Sequence, residues 1–124
     1  QGVRDAKTML ETTKIAKVLE KYHGDKVMDL YTAWTETWLS EQHHTWNIQH
    51  FIPNIKVPVF VFQGENDEFG SMNQVNAFDA ALNQVTKWIV KDAAHTAHKE
   101  KKDVVFAAIV NFINETHSTN EKMD

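Results

Sequence analysis

Val57-Pro58-Val59-Phe60-Val61-Phe62-Gln63-Gly64-Glu65-Asn66-Asp67 is an apolar run that passes through a turn and ends in a carboxylate. Val57 to Phe62 is too continuously apolar for a strand with one wet face, and it suits a parallel strand covered on both sides. Pro58 lies at its beginning, where a missing N–H is tolerated. Further on, Ser71 is placed to cap a helix from Met72 to about Asn83, with Met72, Val75, Phe78 and Leu82 inward. A second β-like run, Thr86-Lys87-Trp88-Ile89-Val90, leads into Asp92-Ala93-Ala94-His95-Thr96-Ala97-His98. A last helix, about Lys102 to Glu115, buries Val105, Ala108, Ile109 and Phe112, and a frayed polar tail is expected over 116–124.

Strand, helix, strand with a crossover of this length implies parallel pairing through a right-handed connection. In such sheets active sites lie beyond the carboxyl ends of the strands. Asp67 and His95 both follow carboxyl ends, so they are expected on the same rim. The fold class is therefore α/β. Two strands do not make a stable parallel sheet, however, and such sheets need helices on both faces.

Upstream of Pro53 the chain reads as helices only. A first helix, about Val3 to Lys21, is expected to end at His23-Gly24, with Gly24 in a left-handed cap. Asp25 is then placed to cap a second helix with an aromatic-rich face of Val27, Leu30, Tyr31, Trp34 and Trp38. A short third helix starts at Asn47 and breaks before Pro53. The expected division is a helical segment over 1–52, a strand–helix–strand–helix section over 53–115 and a polar tail over 116–124.

The 124 residues suffice for one domain, and an apolar fraction of 42% with four tryptophans argues for a packed core. A net charge of −4, with acids and bases interspersed, leaves no basic stripe for nucleic acid. Without cysteine there are no disulfides, thiolate metal sites or cysteine nucleophiles. No apolar stretch approaches the roughly 20 residues of a membrane span, and no signal sequence opens the chain. A soluble, cytoplasmic protein is expected. Because the chain starts Gln1-Gly2-Val3 rather than with methionine, it is expected to be processed, truncated or an internal piece.

A carboxylate bonded to one imidazole nitrogen fixes the tautomer and stabilises the imidazolium, so the other nitrogen can take a proton from a nucleophile. Asp67 and His95 are the residue types for that work, 28 positions apart and in the order acid then histidine. Here the chain resembles the C-terminal part of the α/β-hydrolase fold. Residues 55–68 are similar to that family's penultimate strand and acid loop, where Gly-x-x-Asp supplies the triad acid. Residues 92–100 are similar to its last strand-to-helix loop, where a Gly-His pair supplies the histidine, although Ala94 stands at the glycine and Ala97 where proline is frequent. Residues 102–114 resemble the closing helix, and the first fifty resemble the helical cap.

The resemblance implies Asp67 as the acid and His95 as the base of a catalytic triad acting on a small ester or carbonyl substrate, with no cofactor. Glu65 and Glu68 are alternative acids on the same loop, read as solvated, and His98 as a solvated or supporting residue. The family's nucleophile sits upstream on a G-x-S-x-G elbow. Only Ser40, Ser71 and Ser118 occur here, and none has glycines at that spacing. The nucleophile, serine or else the aspartate of a dehalogenase or epoxide hydrolase type, is expected outside this chain, which alone should not catalyse. A non-catalytic hydrolase-fold or assembly fragment is the other reading. The open edge of the first strand is expected to draw either a second copy or an N-terminal piece. His95 with His98, or His43-His44 with His50, lack the ligand set of a metal site. Trp34, Trp38, Trp46 and Phe69 read as core rather than as pocket lining.

Overall fold

In the computed structural model, which describes residues 1–123, strands β1 (Val59–Gly64) and β2 (Val85–Val90) pair in parallel. Their register runs from Val59 opposite Val85 to Gly64 opposite Val90. The β-branched and aromatic run therefore forms a strand two residues later than Val57. Pro58 lies outside the ladder, and the first pairing bond is donated by Val59 N–H to the Gln84 carbonyl at 3.0 Å. The connection between the strands is helix α5 (Asn73–Ala81). It is shorter than expected, and the Ser71 hydroxyl makes no cap, because the turn closes through the Ser71 carbonyl accepting from Gln74 N–H.

Side chains alternate across the pleat and sort the two helices. Phe60 and Phe62, with Trp88 and Val90 of β2, face α7 (Lys102–Met123). Phe60 stacks on Phe112, and Phe62, Trp88 and Ile109 pack against a buried cluster of Val90, Ala93, Ala97 and Val105. On the other face, the Lys87 ammonium meets Asp79 and Asn76 of α5, and Val75 is buried. The strand is thus flanked by a helix on each face, as its continuous apolarity requires. Its sheet has only two strands among the described residues. Helix α7 also corrects the expected tail: it continues past Glu115 to Met123, because no glycine or proline interrupts it. Asp124 lies outside the described residues.

The backbone separates into two compact units, Gln1–Asn47 and from Ile48 onward, so the division falls ahead of Pro53. The link toward β1 is a 3-10 turn, Gln49–Asn54, that contains Pro53 rather than breaking before it.

The first unit holds α1 (Gly2–Thr12), α2 (Ile15–His23), α3 (Val27–Leu39) and α4 (Glu41–His44). The single first helix expected from periodicity is broken at Thr13. Its hydroxyl donates to the Met9 carbonyl and accepts from Ile15 N–H, so a side chain replaces the helical ladder. Gly24 does end α2 at positive φ (61°), but with ψ −133° rather than in a left-handed helical cap. Asp25 lies within a 3-10 turn, Gly24–Lys26, and α3 has no side-chain cap. The buried line of α3 is Val27 and Thr35, whose hydroxyl is satisfied by the Tyr31 carbonyl at 2.9 Å. The tryptophan stripe is not core: Trp38 is 49% exposed and Trp46 59%. Instead these two flank His43, Trp38 edge-on and Trp46 stacked.

Candidate active site

The loop after β1 and the loop after β2 are joined by main chain before any side chain meets. Beyond the last ladder pair, Glu65 N–H donates to the Val90 carbonyl at 2.9 Å and Asn66 N–H to the Ala93 carbonyl at 2.8 Å. Asp67 N–H turns back to the Gly64 carbonyl at 3.2 Å, closing a tight turn. The approach is possible only because residue 64 is glycine. A Cβ there would lie 2.0 Å from the Ala94 carbonyl oxygen and 2.4 Å from that of Ala93, distances no packed side chain sustains.

On the other strand, Asp92 makes the exit from β2 with φ 56°, a left-handed conformation that aspartate tolerates better than most residues. Ala93 is buried beneath it. The backbone at Ala94 donates to both carboxylate oxygens of Glu100 at 3.2 Å, and the Thr96 hydroxyl donates to one of them at 3.3 Å. Glu100, at the end of α6 (Ala97–Glu100), therefore folds the histidine loop over its own helix. Ala94 is accommodated at the position where glycine was expected.

These two loops bring Asp67 and His95 together on one rim. His95 Nδ1 lies 3.0 Å from Asp67 Oδ1. An ionised carboxylate only accepts, so Nδ1 is the protonated nitrogen and Nε2 is left to face a second group. The two side chains differ in exposure: that of Asp67 is 6% exposed, that of His95 53%. Burial by itself would raise the Asp67 carboxyl. The backbone donors Phe69 N–H (2.9 Å) and Gly70 N–H (3.1 Å), together with His95, outweigh it and hold the group below the ordinary aspartate value. Its second oxygen, Oδ2, accepts from Gln63 Nε2 at 3.0 Å. Phe69 is not core; its ring stands edge-on to the His95 imidazole, centroids 5.1 Å apart.

The remaining candidates separate clearly. Glu65 is exposed, as expected, and one of its carboxylate oxygens also accepts from Asp92 N–H at 3.3 Å, tying the two loops. Glu68 is exposed. His98 lines, with Asp67 and His95, a cleft of about 250 Å³ whose apolar wall is Val61, Val75 and Phe78. Among the described residues no three His, Cys, Asp or Glu side chains gather as a metal site requires. Sequence reasoning missed Gln63 and Glu100. The signal for Gln63 was present, as a polar residue ending a wholly apolar strand must find buried partners.

Residues 39–116, more than half of the chain and including both Asp67 and His95, match the model of a family described as alpha/beta hydrolase domain. Comparison with curated proteins and with solved structures finds no match.

Proposed function

The chain belongs to the alpha/beta hydrolase domain family, and from that premise we propose that it supplies the acid and the base of a hydrolytic site for a small ester or carbonyl substrate. The observation that carries this is the 3.0 Å contact between His95 Nδ1 and Asp67 Oδ1. With Nδ1–H held by the carboxylate, Nε2 takes the proton of a nucleophile as it attacks the substrate carbonyl. The imidazolium so formed then returns that proton to the leaving group. Asp67 stays ionised throughout, orienting the ring and stabilising its charged form. The nucleophile belongs to an upstream elbow in a polypeptide that contains this segment, since no serine here has elbow spacing.

The test is an esterase assay on such a polypeptide with a p-nitrophenyl ester. His95→Ala is expected to lower kcat by about 10²–10⁴-fold, the range for loss of a general acid–base. Full activity in that variant would refute the assignment.

A further inference from the structure

We propose that Gln63 is a positioning residue for the acid: its carboxamide holds the plane of the Asp67 carboxylate so that one oxygen is presented to His95. This rests on Asp67 and His95 forming a proton-relay pair.

A primary amide nitrogen has two hydrogens and can satisfy two acceptors. Gln63 Nε2 uses them on Asp67 Oδ2 at 3.0 Å and on the Gly70 carbonyl at 2.7 Å. Gln63 is itself buried, 8% exposed, so both bonds are made away from water, where they are strongest. The acceptors are four and seven residues further along the chain. One side chain therefore closes the whole acid loop upon its strand. Gly70 fits this closure tightly, because a Cβ there would stand 3.0 Å from the same nitrogen.

The consequence for the carboxylate is a division of labour. Oδ1 accepts from Phe69 N–H, Gly70 N–H and His95 Nδ1, whereas among the described residues Oδ2 accepts from Gln63 alone. A half-turn about the Cβ–Cγ bond merely exchanges two equivalent oxygens, but any intermediate rotation of the carboxylate plane breaks the Gln63 bond. Removing that donor leaves Oδ2 buried without a partner, a costly state relieved by turning the carboxylate toward water. His95 then loses the acceptor that fixes its tautomer. Gln63 touches no reacting atom and acts only through Asp67.

The readout is the imidazole itself. In the 124-residue chain labelled with ¹⁵N at histidine, long-range ¹H–¹⁵N correlations distinguish the Nδ1–H and Nε2–H tautomers of the neutral ring. His95 signals are identified by their loss in His95→Gln. The native chain is expected to hold His95 as Nδ1–H. Gln63→Met, unbranched and similar in length, and Gln63→Glu, of the same shape but without the paired donors, are both expected to lose that preference. A simple packing role predicts native tautomers in both variants, and that result would overturn the proposal. Loss of the folded spectrum in both would overturn it too, since Gln63 would then hold the fold rather than the carboxylate. No nucleophile enters this measurement, so its outcome and that of the esterase assay stand apart.

Discussion

Asp67 gathers four N–H donors around a side chain that is 6% exposed. Burial opposes its charge, and the donors prevail, so the folded carboxyl titrates below the unfolded one. A group whose folded value is depressed contributes stability that is complete above the unfolded value and is lost as pH falls through the folded one. Acid should therefore destabilise the protein through Asp67 specifically. Denaturant titrations between neutral pH and the lower carboxylate range are expected to show a steeper acid decline for the native chain than for Asp67→Asn. Parallel declines would mean that the donors do not favour the charged form. The aspartate and the histidine were legible in the sequence because both sit where parallel strands present catalytic groups. The donors were not, because backbone N–H groups carry no residue identity and Gln63 acts only once the loop is folded.

At the scale of elements, the site depends on two loops whose main chains touch. Gly64 is the point of contact, facing the carbonyl oxygens of Ala93 and Ala94 at distances that forbid a Cβ. Gly64→Ala is expected to cost about 1–3 kcal/mol, as overpacking does, and to part the loops so that the Asp67–His95 bond weakens. Chemical denaturation measures the first effect and the histidine tautomer the second. A variant as stable as the native chain would show that the loops can yield. Strand and helix order could be read from hydrophobic patterning, since β1 is a continuous apolar run and α5 and α7 carry apolar residues at helical spacing. Helix ends could not. Thr13 breaks the first helix by a side-chain bond that propensity does not register, and α7 runs on because polar residues such as His117 and Ser118 do not terminate a helix. The exposed Trp38 and Trp46 show the same limit: helical spacing identifies a face but not what covers it.

For the whole molecule the notable quantity is the apolar surface left uncovered. Beside the two-stranded sheet, Val57 is 65% exposed and Phe106 66%, with Phe51, Val104 and Ile113 also exposed. Parallel ladders alternate their bonding sides. With Val59 and Glu65 N–H directed at β2, the backbone groups of Phe60 and Phe62 point along the opposite edge. An apolar strand with such an edge invites pairing. The isolated chain is expected to exceed its 14.3 kDa monomer mass in light scattering at micromolar concentration, and a stable, folded monomer would contradict this. Among the described residues no helix is long and apolar enough to cross a membrane.

The backbone bonds that tie the acid loop to the end of β2 also make the site local in sequence. Asp67, His95, Gln63 and Glu100, with the glycine that lets their loops touch, all lie on one uninterrupted stretch beginning at β1. Each of these contacts therefore closes within residues 59–100, with no residue ahead of Ile48 taking part.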